Sequence, residues 1–314
     1  MAAWLAFLVA VPFYAWTSVT KVDSTPDGQR PEAGKGSNYL LVGSDARAGL
    51  TPEEQQQLST GPDEGGGQRT DSIILVHRSS SGMSSMVSLP RDSYVEIPGH
   101  GRNKLNAAFA IGGPKLLVAT VEGATGLRID GFLEIGFGGF AKVVDSLGGV
   151  DVCVPFDMND ERAGIDLKAG CQVLDGPNAL GYVRARYSDP RGDIGRAERQ
   201  RQFLGAIIKK AATPSTVLLP WRYYGFAMSS ASGLRAGTDT SVLEAAQVVL
   251  TMRDVSGGNG LSMVVPISNP GLATSAGSAV KWDREKALAL FEALRQDAPL
   301  TGPMPGTDGK PTGH

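Results

Sequence analysis

The stretch that decides the fold is NYLLVGSD, residues 38–45. A short apolar run that ends in Gly-Ser-Asp predicts a buried β-strand that delivers the carboxylate of Asp45 at its C-terminal end. Outward from this run, strand-like and helix-like segments alternate as far as about residue 296. This alternation predicts an α/β fold, a single three-layer α/β/α domain with a central mixed sheet over residues 38–296.

Charged side chains also mark the ends of two further predicted strands. Asp71 stands just before the apolar run IILVH, and Arg91 and Asp92 follow the run MVSL after a proline. In open α/β sheets, ligands gather at the carboxyl ends of strands. Acids that recur at strand ends are not expected of a purely structural sheet, so we expect a functional site there.

The N-terminal segment predicts attachment to a membrane. The first twenty residues carry no charge, and about 20 apolar residues span a bilayer core as a helix. We expect a transmembrane helix over residues 1–21, with a cleaved signal peptide as the alternative. The polar, Pro- and Gly-containing residues 22–37 predict a linker, and residues 297–314 predict a flexible tail.

A basic cluster lies in the second half of the chain. Residues 184–200, RARYSDPRGDIGRAERQ, contain five arginines although the formal net charge is -2. Guanidinium groups match phosphate oxygens two at a time, which predicts a phosphate or pyrophosphate site. Arg196 and Gln200 share a helix face, whereas Arg191 and Arg199 are expected at the surface. A solvated face of salt bridges is the alternative interpretation of the cluster.

Two aspartates are candidate ligands of Mg²⁺. Asp45 and Asp71 each lie at a strand edge, and they could share an ion if the two strands are neighbours. Mg²⁺ prefers one or two carboxylates together with substrate phosphate oxygens and water. The alternative is that both acids cap turns, as aspartate often does.

Composition and missing motifs exclude several function classes. A pI near 6.0 argues against nucleic acid as a partner. The chain has no G-x-S-x-G, H-E-x-x-H or Walker A pattern, and its three histidines argue against a Ser-His-Asp enzyme. Cys153 and Cys171, beside an apolar N-terminus, indicate a disulfide in an oxidising compartment, with two buried free thiols as the alternative.

Several motifs occur together in an order known from one family. They are NYLLVGSD (38–45), RTDS (69–72), SLPRD (88–92), KLNAA (104–108), GGVDV (148–152), LDG (174–176), ARY (185–187) and GDxxRxxRQ (192–200). In number and order these motifs resemble the LytR-CpsA-Psr family across residues 38–296. The predicted anchor and extracellular placement are similar to that family as well.

The resemblance implies a phosphotransferase that is anchored in the cytoplasmic membrane by a single pass, with its catalytic domain outside. It would move a glycopolymer from a polyprenyl-(pyro)phosphate carrier onto peptidoglycan, with Mg²⁺ as cofactor. By the same resemblance, Asp45 and Asp71 would bind the metal. The implied catalytic residues are Asp71, Arg91, Asp92, Arg184 and Arg186. The implied pyrophosphate ligands are Arg91, Lys104, Arg184, Arg186, Arg196 and Gln200, with Asp193 nearby.

Two finer expectations accompany this resemblance. The cysteine pair is similar to that of actinobacterial members, which favours an arabinogalactan-type polymer. The Gly-rich insertion between Asp45 and Asp71 is a departure from the family pattern. It leaves open whether both carboxylates bind the same metal ion. The alternatives are a polyprenyl-pyrophosphate hydrolase and a non-enzymatic wall-binding regulatory protein. We expect an enzyme, because acids and arginines recur at strand ends.

Overall fold

The computed structural model describes residues 2–47, 50–61, 69–185 and 192–311, apart from the side chains of residues 192–194 and 197. These residues form ten helices and fifteen strands. The helices are α1 (Ala2–Trp16), α2 (Pro52–Gln57), α3 (Leu105–Thr125), α4 (Phe137–Ser146), α5 (Gly176–Arg184), α6 (Gly192–Ala211), α7 (Pro214–Val217), α8 (Pro220–Gly233), α9 (Val242–Ser256) and α10 (Arg284–Arg295). The strands are β1 (Thr20–Val22), β2 (Ser37–Ser44), β3 (Thr70–Arg78), β4 (Ser85–Ser88), β5 (Tyr94–Ile97), β6 (Gly101–Lys104), β7 (Gly131–Ile135), β8 (Val150–Val154), β9 (Met158–Asp160), β10 (Ile165–Leu167), β11 (Gly170–Leu174), β12 (Leu234–Gly237), β13 (Leu261–Val264), β14 (Ile267–Thr274) and β15 (Gly277–Trp282).

The chain divides into two compact units, not the single domain predicted from the sequence. Unit 1 comprises Met1–Thr20, Asp45–Gly66 and Ile135–Arg235, and unit 2 comprises Lys21–Ser44, Gly67–Glu134 and Ala236–His314. Each unit is assembled from three separated segments. A linear alternation of strands and helices does not reveal such a division, because neither unit is continuous in sequence.

Unit 2 is built on a mixed sheet, as predicted. Within the described ranges the sheet has seven strands in the order β1-β12-β7-β2-β3-β4-β13. β3 pairs antiparallel with β2 and with β4, and β13 pairs parallel with β4. The C-terminal ends of β2 and β4 and the N-terminal end of β3 therefore lie at one edge of the sheet.

Helices cover both faces of this sheet. Leu40 of β2 belongs to the main apolar core with residues of α3 and α10. The neighbouring Tyr39 points to the opposite face, where its hydroxyl donates to Gln247 Oε1 of α9 at 2.7 Å. The span α3 contains two helical stretches, because the backbone is not helical at Gly112 and Gly113, just before Pro114. This break agrees with the Gly-Gly-Pro turn that the sequence predicts there. Gly113 takes a φ of 63°, which glycine adopts without steric cost.

Unit 1 combines helices with two small hairpins. β8 pairs with β11 and β9 with β10, and their apolar side chains share a core with α4, α5 and α6. Helix α1 packs on α8, where the Tyr223 hydroxyl donates to the Leu8 carbonyl at 2.8 Å. Across the described ranges, no helix combines the length and the apolar character that a bilayer span requires. The predicted transmembrane anchor over residues 1–21 is therefore not confirmed.

Residues 22–37, predicted to be a linker, belong to unit 2. The Arg30 guanidinium lies 2.6 Å from the buried carboxylate of Glu122 and donates to the Ile129 carbonyl at 2.6 Å. Lys115 pairs with Asp23 at 3.1 Å. The prediction from composition was wrong because these polar side chains find partners 92 positions away in sequence.

The predicted flexible tail is also packed on unit 2 as far as residue 311. Leu300 and Met304 contact the apolar core. The Val264 N–H donates to the Thr307 carbonyl at 2.9 Å, which fixes the segment beside β13. The Gly- and Pro-rich composition predicted disorder, but a few apolar side chains and backbone hydrogen bonds are enough to hold this segment.

Asp297 fastens the start of that segment to the end of β3. Its carboxylate accepts from the Ser80 N–H at 2.8 Å and from the Ser80 hydroxyl at 2.5 Å, and it lies 3.2 Å from His77 Nε2. Burial alone would raise the pKa of Asp297. Hydrogen bonds from Ser79, Ser80 and His77 outweigh burial and hold the pKa well below its ordinary value of 3.8. The ionised carboxylate is thus the form that stabilises the fold.

We expect Asp297→Asn to lower the Tm at neutral pH, with a loss of about 1–3 kcal/mol because buried donors lose a charged acceptor. The folded pKa is lowered, so the contribution is present above pH 3.8 and is lost as pH falls below that value. The Tm difference between wild type and variant should therefore shrink under acid conditions. Asp308→Asn, at an exposed site in the same segment, is the control. A difference that is constant with pH would contradict the assignment.

Candidate active site

A tight turn after β4 positions two of the predicted site residues. The Ser93 N–H donates to the Pro90 carbonyl at 2.9 Å, and the Val280 N–H of β15 donates to the Asp92 carbonyl at 2.8 Å. From the start of α3, the Asn106 N–H donates to the Arg91 carbonyl at 2.9 Å. The turn's own hydrogen bond and the bonds from two other elements, β15 and α3, therefore fix the backbone that carries Arg91 and Asp92.

The side chains at this edge form a continuous ion-pair network. Arg91 Nη1 lies 2.5 Å from Asp71 Oδ1, and Arg91 Nε lies 3.5 Å from Asp92 Oδ2. Lys104 Nζ lies 3.2 Å from Asp92 Oδ1. Two carboxylates thus alternate with two cations, and all four side chains are between 19% and 25% exposed. Partial exposure leaves the network accessible to a charged ligand while its geometry is held by the fold.

Asp71 reaches this network through an irregularity in the sheet. Gly43 pairs with Ser72 and Ser44 pairs with Thr70, so Asp71 is an extra residue on β3. Such a bulge redirects a side chain at a sheet edge. Asp71 bonds to Arg91 through Oδ1, and no other described side chain is hydrogen-bonded to its Oδ2. One carboxylate oxygen is therefore available for another task.

A buried carboxylate near the same strand ends was missed by sequence reasoning. Glu134, near the end of β7, is fully buried, and the Ser44 hydroxyl at the end of β2 donates to its Oε1 at 2.7 Å. The signal was available in the run FLEI, where a glutamate interrupts an otherwise apolar strand. The bond holds the end of β2, the residue before Asp45, in place.

In unit 1, Arg184 contacts backbone carbonyls and an aromatic ring. Its Nη1 donates to the Leu58 carbonyl at 3.1 Å, and its guanidinium lies 4.5 Å from the centroid of Phe137. Asp45 belongs to the same unit and is half-buried. The structure thus places both predicted residues in unit 1, while Asp71, Arg91, Asp92 and Lys104 belong to unit 2.

The expectation that Arg199 lies at the surface was wrong. Arg199 is 1% exposed, and it donates to the Tyr182 carbonyl at 3.2 Å and to the Ala185 carbonyl at 2.5 Å. Carbonyls at the C-terminal end of a helix lack partners within the helix and carry partial negative charge, so they attract a cation. Arg199 therefore caps α5 from the neighbouring helix α6.

The other residues of the basic cluster have mixed outcomes. Gln200 Nε2 donates to the Val183 carbonyl at 3.3 Å, so this amide also contacts the end of α5. Arg196 is buried, at 7% exposure. Arg186, Arg191 and the side chain of Asp193 lie outside the described residues, and their predicted roles stay predictions. The predicted cysteine pair is confirmed, because Cys153 and Cys171 form a disulfide across β8 and β11.

The donor set can be tested for its fit to Mg²⁺. Within the described ranges, no group of three or more His, Cys, Asp or Glu side chains could hold a metal ion without other ligands. Among the side chains that the structure describes, none is hydrogen-bonded to Oδ2 of Asp71. These residues fit an ion that takes most of its ligands from phosphate and water, which is the usual preference of Mg²⁺.

The mixed sheet and its charged edge define an α/β protein suited to anionic substrates. The sequence profile of the LytR_cpsA_psr family matches residues 15–255. The chain is 42% identical over 295 residues to the probable cell wall biosynthesis protein LcpB of Corynebacterium glutamicum, which covers 94% of this chain and 69% of that protein. The chain belongs to the LytR-CpsA-Psr family, whose proteins are cell-wall glycopolymer transferases.

Two further relatives agree with this assignment. The polyisoprenyl-teichoic acid–peptidoglycan teichoic acid transferase TagU of Bacillus cereus is 36% identical over 213 residues, covering 65% of this chain and 67% of that protein. The structure of TagT bound to LIIa-WTA superposes with a TM-score of 0.63 at 25% identity, covering 88% of this chain and 99% of that one.

We expect Arg199→Ala to destabilise the protein by about 3 kcal/mol, because two helix-end carbonyls lose a buried charged donor. Thermal unfolding checks this, with Arg253→Ala as the control, since Arg253 is exposed and forms its ion pair with the neighbouring exposed Asp254. Exposed substitutions of that kind cost about 0.5 kcal/mol or less. An unchanged Tm in Arg199→Ala would restore the surface assignment.

Proposed function

We propose that this protein transfers a glycopolymer from a polyprenyl-(pyro)phosphate carrier onto peptidoglycan, in a Mg²⁺-dependent phosphotransferase reaction at the outer face of the cytoplasmic membrane. The observation that carries the proposal is the network of Asp71, Arg91, Asp92 and Lys104 at the sheet edge. Family membership supports the reaction class. The cysteine pair and the similarity to a Corynebacterium protein support an arabinogalactan-type polymer.

In the proposed reaction, a peptidoglycan hydroxyl attacks the phosphorus that carries the glycopolymer. A new P–O bond forms, the bond from that phosphorus to the bridging oxygen breaks, and polyprenyl phosphate leaves with the electron pair. The products are a phosphodiester between polymer and peptidoglycan and the lipid phosphate. The guanidinium of Arg91 and the ammonium of Lys104 would stabilise charge on the non-bridging oxygens, which is the main task of a phosphoryl-transfer site.

The hydroxyl proton needs a carboxylate acceptor, and the ion pairs favour Asp71 over Asp92. Asp92 faces two cations, with Lys104 Nζ 3.2 Å from its Oδ1 and Arg91 Nε 3.5 Å from its Oδ2, so its carboxylate is the less basic of the two. Asp71 bonds to Arg91 through Oδ1, which leaves Oδ2 for the proton or for the metal. Mg²⁺, when bound, would supply positive charge to the phosphate oxygens, with Asp71 and Asp45 as its proposed ligands. The other proposed ligands of the pyrophosphate are Arg184, Arg186, Arg196 and Gln200.

Placement at the membrane is part of the proposal. The charge-free first twenty residues, with α1 at their centre, support an attachment through α1 and a catalytic region on the outer side. The disulfide supports an oxidising compartment on that side, because such bonds persist outside the reducing cytoplasm. The carrier lipid would then be available to the enzyme in the same bilayer.

We expect Asp71→Asn and Arg91→Gln each to lower transfer of a lipid-linked glycan to peptidoglycan by about 100-fold or more, the effect of losing an electrostatic or proton-accepting group at a reacting centre. The measurement uses purified full-length protein, with the Tm recorded for each variant. Asp254→Asn, at an exposed site on α9, is the control and should retain full activity. Wild-type transfer in both site variants would refute the proposed site.

Metal removal gives an independent test. Treatment with EDTA should abolish transfer, and added Mg²⁺ should restore it in wild type but not in Asp71→Asn. The same assay without acceptor separates the alternatives, since a hydrolase would release the polymer at the full rate. Transfer that persists in EDTA would contradict the metal requirement.

A further inference from the structure

An exposed apolar corner lies where α7 leads into α8 in unit 1. Leu218 is 62% exposed and Trp221 is 68% exposed, and Tyr224, three residues later on the same helix face, is 42% exposed. Side chains of this size seldom stand together in water on a soluble surface, and such patches mark interaction sites. The reaction described above makes no use of them.

This corner is joined to α1 by defined contacts. The Tyr223 ring lies 6.1 Å from the Phe7 ring, and its hydroxyl bonds to the Leu8 carbonyl at 2.8 Å. Leu5, Val9 and Phe13 of α1 are spaced four residues apart, so they share one helix face, and each is at least 50% exposed. The start of α8 is therefore anchored to a charge-free helix that itself exposes an apolar stripe.

The composition of the corner fits the surface of a bilayer. Trp and Tyr concentrate at the membrane–water interface, where an apolar ring and a polar edge are both accommodated. Arg222, which follows Trp221 directly in sequence, is also exposed. A cation beside exposed aromatic rings attracts anionic headgroups and adds to the apolar contribution.

We propose that Leu218, Trp221 and Tyr224 insert into the interfacial region of a lipid bilayer, as a second membrane contact beside α1. The inference rests on the proposed placement at the membrane, and it adds that the folded body of unit 1 touches the lipid directly. The occupant is an anionic phospholipid surface. This contact would hold unit 1 in a defined orientation, in addition to tethering the chain.

The test measures quenching of Trp221 by brominated lipid. Full-length protein is mixed with vesicles of two parts phosphatidylcholine and one part phosphatidylglycerol, with and without dibrominated phosphatidylcholine. The fluorescence of wild type minus that of Trp221→Phe gives the emission of Trp221, separate from that of the other three tryptophans. A double variant, Trp221→Phe with Val173→Trp, serves as the matched control, since Val173 is an exposed apolar residue on the β11 hairpin.

We expect brominated lipid to quench most of the Trp221 emission. It should quench little of the emission that Val173→Trp introduces. If the protein pellets with vesicles but the Trp221 emission is not quenched, the proposed lipid contact of Leu218, Trp221 and Tyr224 is wrong, while the membrane placement stands. The same result is expected if a second copy of the chain covers these residues. Equal quenching in the control overturns the corner as well, because it indicates general adsorption. Protein that does not pellet with vesicles contradicts both this inference and the membrane placement, whatever the transfer activity is.

Discussion

The guanidinium of Arg91 is the constraint on which the candidate site of unit 2 depends. Two carboxylates, Asp71 from the bulged start of β3 and Asp92 from the turn after β4, are brought to one sheet edge by strand pairing. Without a cation, such acids repel each other as they approach. Arg91 contacts both, at 2.5 Å and 3.5 Å. The sheet topology brings the two carboxylates to one end of the sheet, and Arg91 offsets their repulsion together with Lys104, which lies 3.2 Å from Asp92.

The position of Arg91 is itself fixed by the core. The turn that carries it is bonded to α3 and β15, and the Trp282 ring donates to the Ser93 hydroxyl at 2.8 Å. Trp282 in turn packs on Phe291 of α10. A charged site on rigid elements keeps its geometry better than one on a free loop, because neighbouring side chains lock each rotamer. The position of Arg91 therefore depends on the packing of the core.

The sequence was sufficient to predict the mixed sheet and the placement of Asp71 and Arg91 at the ends of its strands, because short apolar runs that end in charge are local signals. The roles of these two residues stay predictions. It was insufficient where partners are remote. Arg199 was predicted at the surface from helical spacing alone, yet its partners are carbonyls on α5, 14 and 17 residues away. Arg30 and Asp297 lie in segments with the composition of linkers, but each finds a buried partner through the tertiary fold.

The balance of charge in the network has a consequence for substrate binding. Two carboxylates already neutralise two cations, so an incoming pyrophosphate meets no net positive field from these four residues. Its oxygens must compete with Asp71 for Arg91 and with Asp92 for Lys104. Binding is therefore favoured by positive charge from outside these four residues, which the proposed Mg²⁺ and the other proposed pyrophosphate ligands would supply. Acceptance of the hydroxyl proton comes later, in the transfer step, and would lower the negative charge that the phosphate oxygens face there.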